Sequence, residues 1–133
     1  MATGVVYGAP ETLSVTCDTD LSLKAEYAAI LDVSDEGNVD IAADATKFPF
    51  PIVEGAAGAT GAKKVMTVAI DGCAKVKCGG SVLPGDKLTS DSAGKWVPTT
   101  TNGELYGAIA LEAGATNDVI HVKVAQGVDN VAY

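Results

Sequence analysis

The residues that could carry out chemistry are few, and their spacing does not match a known catalytic motif. His121 is the single histidine, and it lies between Ile120 and Val122 in a run with the two-residue period of a strand. A general base needs a nucleophile or an orienting carboxylate within hydrogen-bond reach, and the sequence does not identify one. No serine lies in a G-x-S-x-G turn, and no glycine-rich phosphate-binding loop is present. The sequence therefore predicts a surface histidine and no enzymatic activity.

The densest group of metal-ligand side chains is an acidic stretch that suggests a calcium site. Its carboxylates are Asp32, Asp35, Glu36, Asp40 and Asp44. Aligned with the twelve-residue calcium loop from Asp32, the sequence has Gly37 at the sixth position but Ser34 at the third and Ala43 at the twelfth. The bidentate glutamate that closes such a loop is missing. We therefore expect solvated turn charges, with a loose metal site as the alternative, and predict no bound metal or cofactor.

The cysteines Cys17, Cys73 and Cys78 match no zinc or redox spacing and leave at least one thiol unpaired. A disulfide between Cys73 and Cys78 is the alternative to three free thiols in a reducing compartment, which we favour. The N-terminal residues do not combine a basic region with an apolar one, and no apolar run approaches the ~20 residues of a membrane-spanning helix. We expect a soluble protein that is made in the cytoplasm and does not interact with membranes.

The charge of the chain argues against nucleic acid as a partner. The formal net charge is -8, from 17 acidic and 9 basic residues, and every basic residue is a lysine. A chain without arginine lacks the side chain that binds phosphate and guanine best, and its acidic field repels a polyanion. We therefore predict that the partner is a protein.

The elements that position these residues read as short strands joined by turns. Hydrophobic residues make up 47% of the chain but aromatic ones only 5%, so the core must consist mainly of Val, Ala, Leu and Ile. In the stretch 79–124, turn residues recur at intervals of about 8 to 12 residues. Extended runs lie between them at 87–89, 95–98, 105–111 and 119–124. This pattern predicts an all-β fold, a small antiparallel β-barrel with at most short helical turns.

Two turns ahead of this stretch predict hairpins. The run Asp35-Glu36-Gly37-Asn38 separates two extended segments, and the second of them is Val39-Asp40-Ile41. Asp71-Gly72 is the strongest short hairpin signal, and it separates the apolar runs 64–70 and 74–77. We expect each turn to join two strands that pair with each other.

The remaining segments define the organisation of the chain. Residues 42–47 suggest a helical turn, which the following prolines would end. The glycine–alanine run 55–62 predicts a mobile surface loop. We divide the chain into an N-terminal arm or edge strand (1–19), a β-barrel domain (20–124) and a C-terminal tail (125–133).

Apolar and aromatic side chains in unusual places are the candidates for contacts with a partner. The arm holds an apolar triplet that either adds to the sheet edge of a neighbouring subunit or forms an edge strand of its own barrel. The two phenylalanines flank Pro49 and either plug the barrel or contact a partner, and the single tryptophan is either a core residue or an interface anchor. The predicted contact residues are Val5, Val6, Tyr7, Phe48, Phe50 and Trp96.

The stretch from Gly79 to Val97 reads GG-x-V-x-x-GD-x-L-x-S-D-x-x-GK-x-V. With the segments Tyr106 to Glu112 and Asp118 to Val124, it resembles the head decoration, or cement, proteins of tailed bacteriophages. In that family a glycine–aspartate turn leads to a hairpin that ends in Gly-Lys. A strand and a final alternating strand follow.

This resemblance implies a compact β-barrel or tulip-like domain without enzymatic activity. Such a protein would bind the outside of an expanded phage head, contact the major capsid protein and form a homo-oligomer, with a trimer favoured. The arm, residues 1–10, would become ordered on the capsid surface of the virion. One alternative is a biotinyl or lipoyl carrier, because residues 80–88 resemble the turn of those barrels, although no methionine flanks the nearby Lys95. Another is a structural subunit of a fibre or tail assembly.

Overall fold

The computed structural model of the protein describes residues 8–32, 34–59 and 61–129, so Val5, Val6 and Tyr7 lie outside the described residues. The described ranges form ten β-strands and no helix, and thus no helix that could span a membrane. The all-β prediction is confirmed. The strands are β1 (Glu11–Cys17), β2 (Ala28–Leu31), β3 (Val39–Ile41), β4 (Phe50–Glu54), β5 (Lys64–Asp71), β6 (Cys73–Lys77), β7 (Lys87–Ser90), β8 (Trp96–Pro98), β9 (Leu105–Ala110) and β10 (Val119–Val128).

The strands form two five-stranded antiparallel sheets, which are not closed into the barrel that the turn pattern suggested. The first sheet has the order β1-β5-β4-β2-β3 and the second the order β6-β10-β9-β7-β8. Strand pairing stays within residues 11–71 for the first sheet and within 73–128 for the second. Because no ladder joins the two halves of the chain, the ten strands cannot form one continuous barrel wall.

The chain passes from one sheet to the other at Asp71-Gly72, so the predicted tight hairpin at this turn is wrong. β5 pairs with β1 and β4, whereas β6 pairs with β10. Gly72 adopts a φ of +79°, a conformation that favours glycine. Asp71 Oδ1 accepts hydrogen bonds from the Gly72 N–H at 2.8 Å and from Lys123 Nζ at 2.7 Å. The turn therefore forms a corner, which Lys123 ties to the second sheet.

Two clusters of buried side chains form the core, one mainly from the first sheet and one mainly from the second, and Ala28, Ala42 and Ala69 join the second cluster from the first half of the chain. The Thr16 N–H donates to the Gly37 carbonyl at 3.0 Å, and the Gly79 N–H donates to the Trp96 carbonyl at 2.8 Å, so the outer strands of each sheet approach one another. The first core includes Val15, Ile52 and Met66, and the second core includes Leu88, Trp96 and Val122. Small and β-branched side chains fill both, as the composition predicted.

Strand alternation and two hairpins are as predicted. In β10, the side chains of Ile120, Val122 and Val124 are buried, while those of the intervening residues face outward. β2 and β3 form the hairpin through Gly37, and β7 and β8 form the hairpin that ends in Gly-Lys. β10 continues past an irregularity in register after Val124 and ends at Val128, so its second half lies in the predicted tail.

Residues 44–47 form bends and residues 42–43 are irregular, so the predicted helical turn at 42–47 is wrong. Asp44 accepts hydrogen bonds from the Thr46 backbone N–H at 2.9 Å and from its hydroxyl at 2.6 Å. Such local side-chain bonds offer the backbone an alternative to the helix. Asp20 and Asp32 bind Ser22 and Ser34 in the same way, and these bonds hold the pKa of each carboxyl below its usual value.

Residues 55–58 of the glycine–alanine segment pack against the main chain of their neighbours, which differs from the mobile loop predicted for 55–62. The Leu21 N–H donates to the Ala56 carbonyl at 2.9 Å. A Cβ on Gly55 would lie 1.7 Å from the Leu21 carbonyl oxygen, which is far inside van der Waals contact. The missing side chains therefore allow two backbone segments to touch.

Two buried threonines provide a stability test. The Thr89 hydroxyl is buried and has no hydrogen-bond partner among the described residues, whereas the Thr99 hydroxyl donates to Asp129 Oδ2. We expect Thr89→Val to raise the free energy of unfolding by about 1 kcal/mol, because valine removes an unpaired polar group at nearly constant shape. The control, Thr99→Val, should lower it by about 2 kcal/mol, because it leaves a buried carboxylate without that donor. Urea denaturation followed by Trp96 fluorescence measures both, and equal effects would contradict the prediction.

Candidate interaction groove

A groove of about 640 Å³ lies between the two sheets. It is lined by residues 8–10 ahead of β1, 25–26 ahead of β2, 52–53 in β4 and 73–75 in β6, together with His121 from β10. Its volume falls within the range of about 300–1,000 Å³ that is typical of ligand sites. The groove brings together four segments that are far apart in the sequence.

One wall of the groove is the edge of β6 that faces away from β10. β6 pairs with β10 on one side, and on the other side the Lys77 N–H donates to the Glu26 carbonyl at 2.8 Å. The backbone groups of alternate residues in a strand point to the same side. The N–H and C=O groups of Lys75 and Cys73 therefore point away from β10, toward the groove.

Lysines are concentrated around this edge although the chain as a whole is acidic. Lys75 and Lys77 lie on the same face of β6, and Lys123 lies opposite Cys73 in β10. The Nζ atoms of Lys24 and Lys77 lie 4.5 and 5.7 Å from the centre of the Tyr27 ring, within cation–π distance. Four of the nine lysines are thus in β6 or close to it.

Carboxylates partly balance this charge. Glu26 lines the groove, and Asp71 accepts a hydrogen bond from Lys123 Nζ at 2.7 Å. Glu112 Oε2 lies 3.2 Å from His121 Nδ1 and accepts the His121 backbone N–H at 2.9 Å. Lys24, Lys75 and Lys77 give the edge of β6 an excess of positive charge.

The fold is similar to that of a phage head-fibre base. The chain aligns with the solved structure of the N base of the head fibre gp8.5 of bacteriophage phi29 with a TM-score of 0.67 and 18% sequence identity. The alignment covers 86% of this chain and 95% of that chain. No family model and no curated protein matches this chain. At this level of identity the likeness shows a shared fold.

Glu112 is the carboxylate that the sequence did not identify for His121. It follows β9, while His121 lies in β10, and the two strands pair with Val122 opposite Ala110. The pairing register of β9 and β10, had it been known, would have predicted that Glu112 and His121 lie close together. The carboxylate orients the imidazole, and Cys73 lines the same groove. Cys73 forms no disulfide and is half-buried in the same groove.

The predicted contact residues within the described ranges do not line the groove. Phe50 packs against the first core, while Phe48 is 39% exposed and lies on the surface. Trp96 is fully buried in the second core, so the structure shows the core role and not the interface role that was its alternative. The described chain meets the groove at Gly8, directly after the predicted triplet Val5-Val6-Tyr7.

The acidic stretch does not form a metal site in the described residues, where no group of three ligand side chains is placed to hold an ion. Asp40 lies in β3, and burial, together with the neighbouring Asp32 and Asp18, raises the pKa of its carboxyl. Burial disfavours the charged form of the carboxyl, and repulsion from the two neighbouring carboxylates acts in the same direction.

The three thiols differ in accessibility. Cys17 and Cys78 are fully buried and Cys73 is half-buried, and all three are free, as expected. Burial raises the pKa of the Cys78 thiol, and Asp118 raises it further. We therefore expect a maleimide to modify one cysteine of the folded protein, Cys73, and the other two only after unfolding. Intact mass and peptide mapping measure this, and Cys73→Ser should abolish labelling of the folded protein. Rapid labelling of Cys17 in the folded state would contradict the prediction.

Proposed function

We propose that this chain is a structural protein of a phage virion, which attaches to the outer surface of the head and has no enzymatic role. The observation that carries the proposal is the similarity of its fold, over 86% of the chain, to the base of a phage head fibre. The more specific proposal is that it acts as a decoration protein, which binds the major capsid protein as a homotrimer and stabilises contacts between capsid subunits. Many copies with modest contacts would reinforce the shell through multivalency.

The residues that carry the resemblance to decoration proteins have structural roles, which supports this proposal. Asp86 Oδ2 accepts the Leu83 N–H at 2.9 Å, and Asp91 Oδ1 accepts the N–H groups of Ala93 and Lys95 at 2.8 and 2.9 Å. The two aspartates thus hold turns, as expected of a motif that specifies a fold and not a reaction.

A binding experiment with heads of the phage that encodes the chain tests the proposal. Purified protein is mixed with expanded and with unexpanded heads, and the pelleted heads are analysed for bound protein. We expect saturable binding to expanded heads, with a copy number comparable to the number of capsid-subunit clusters, and increased resistance of the heads to heating. Absence of binding to either form would overturn the proposal.

The base of a head fibre is a second candidate, because the similar solved structure has that role in its own virion. A fibre base attaches other fibre segments and need not stabilise the shell. Binding to heads without any change in their heat resistance would favour this candidate over the decoration protein. Light scattering of the free protein measures whether it is a trimer.

The N-terminal residues are expected to contribute to attachment. Deletion of residues 1–7 should weaken binding to heads about tenfold or more, because an apolar segment that becomes ordered on a partner buries side chains that are otherwise in water. The deletion should leave the circular dichroism spectrum and the unfolding midpoint unchanged. Equal binding of the full-length and shortened proteins would remove this segment from the contact.

A further inference from the structure

We propose that the groove beside β6 binds an extended acidic segment of the partner protein, which adds to the free edge of β6 as a short antiparallel or parallel strand. The inference rests on the proposed function only for the source of the segment, which we assign to the protein of the head surface. The chemistry of the groove is independent of that assignment.

The backbone of β6 provides the first part of the site. Glu26 occupies the position beside Lys77, whereas the outward N–H and C=O groups of Lys75 and Cys73 have no backbone partner among the described residues. An extended peptide can bind such an edge through main-chain hydrogen bonds, and its alternate side chains then enter pockets. The groove has room for a short segment only, because the main chain at residues 25–26 closes one end of the edge.

Apolar side chains line the wall that faces β6. Val53 is 41% exposed, and Ala25 and Pro10 complete this surface, while the side chain of the neighbouring Ile52 is buried in the first core. Every second residue of a bound strand would point toward this wall, since side chains alternate between the two faces of a strand. Small or β-branched apolar residues suit these positions.

The lysines determine the other positions of the segment. Lys75 and Lys77 lie two residues apart on one face of β6, which separates them by about 6.6 Å along the strand. Because Glu26 occupies the position beside Lys77, a bound strand lies opposite Lys75 and Cys73. A carboxylate opposite Lys75 also lies diagonal to Lys77, and a second one two residues along, opposite Cys73, lies diagonal to Lys75. The carboxylates nearby are those of Glu26, of Glu11, which follows Pro10 and lies opposite Asp71, and of the paired Asp71 and Glu112, and Lys24, Lys75 and Lys77 outnumber Glu11 and Glu26. The partner segment that fits this edge is therefore expected to have an acidic residue, an apolar residue and a second acidic residue in succession.

Positive charge on the edge also selects against unwanted association. Lysines on an edge strand disfavour pairing with neutral or basic edges, including a second β6. The acidic field over the rest of this chain, with a net charge of -8, would repel most acidic proteins. Only an acidic segment that lies close to the lysines is attracted by their charge. The site therefore selects such segments over other acidic proteins.

Synthetic peptides test the groove without heads. The probe is acetyl-Thr-Glu-Val-Glu-Thr-amide, and its matched controls carry Gln or Lys in place of both glutamates. Cys73 lines the groove, so its rate of maleimide labelling, followed by intact mass, reports occupancy. We expect the Glu peptide to protect Cys73 at concentrations about 2- to 30-fold lower than the Gln peptide, from the charge pair directly opposite Lys75 and the diagonal pair with Lys77. The Lys peptide should protect least. Equal protection by all three peptides, or none, would overturn the inference.

Reversing the charge of the two lysines tests whether they determine which peptide binds. The double variant Lys75→Glu with Lys77→Glu should prefer the Lys peptide, because both charges of each pair are exchanged. The control variant Lys47→Glu with Lys64→Glu has the same net charge but alters residues that do not line the groove, and it should keep the preference for the Glu peptide. Circular dichroism verifies that both variants are folded. An unchanged preference after reversal of Lys75 and Lys77 would overturn the inference.

Other occupants give distinct results. If residues 1–7 of the same chain fill the groove, their deletion will accelerate Cys73 labelling in the absence of peptide. If a second copy fills it, labelling will slow as the protein concentration rises. Either result overturns the assignment to a partner protein. Loss of head binding in the Lys75→Glu, Lys77→Glu variant supports a segment on the head, whereas unchanged head binding overturns that source and leaves the proposed function intact.

Discussion

Replacing Gly107 by alanine is expected to lower the free energy of unfolding by about 3 kcal/mol or more. Gly107 lies in β9, and a Cβ at this position would lie 2.0 Å from the Pro49 carbonyl oxygen and 3.0 Å from its carbonyl carbon. The obstructing atoms belong to the main chain, and Pro49 is itself fully buried, so the clash cannot be relieved by rotation of a side chain. Urea denaturation measures the loss.

Two further substitutions make this result interpretable. Gly55→Ala should be at least as damaging, because its Cβ would lie 1.7 Å from the Leu21 carbonyl oxygen. Gly80→Ala is the matched control, since the nearest atom to its Cβ would be Val97 Cγ1 at 3.9 Å, an ordinary contact. Its effect should stay within about 0.5 kcal/mol. A similar loss in all three variants would mean that glycine content, and not close approach of the backbone, determines stability.

The same close approaches explain why part of the fold could not be predicted from the sequence. A glycine–alanine run is typical of a mobile loop, and it is equally typical of a segment that packs its backbone against another chain segment. Both need the absence of large side chains, and the sequence at 55–62 does not contain the information on which neighbour lies beside it. The Leu21 main chain, more than thirty residues earlier, decides between the two.

Elements that depend on local signals were predicted correctly. The alternation of Ile120, Val122 and Val124 identified β10, and the turn residues after β7 identified the hairpin to β8. The hairpin predicted at Asp71-Gly72 was wrong because a turn signal specifies a change of chain direction and not which strands pair. β5 instead pairs with β1 and β4, which is a choice made by long-range packing.

The candidate groove could not be predicted at all. Its lining comes from segments around residues 8–10, 25–26, 52–53 and 73–75, and none of them carries a binding motif. The lysines of β6 appear in the sequence as ordinary surface charges. The position of β6 at the edge of its sheet, which places them beside the groove, follows from the strand order and not from any local signal.

Substitution of Trp96 distinguishes the two roles that the sequence left open for it. A core residue and an interface anchor respond differently to substitution. The side chain is fully buried in the second core, and its Nε1 has no hydrogen-bond partner in the described part of the chain. Trp96→Ala should therefore lower the free energy of unfolding by about 3–5 kcal/mol through the cavity it leaves.

Trp96→Phe should lower the free energy of unfolding by only about 1–2 kcal/mol, because no hydrogen bond is lost and the ring retains most of its packing. Circular dichroism during urea denaturation measures both variants, and the phenylalanine variant remains testable if the alanine variant does not fold. Since the ring does not reach the surface, folded Trp96→Phe protein should bind heads as the unmodified protein does. Weakened head binding at unchanged stability would instead assign Trp96 to the interface and contradict its place in the core.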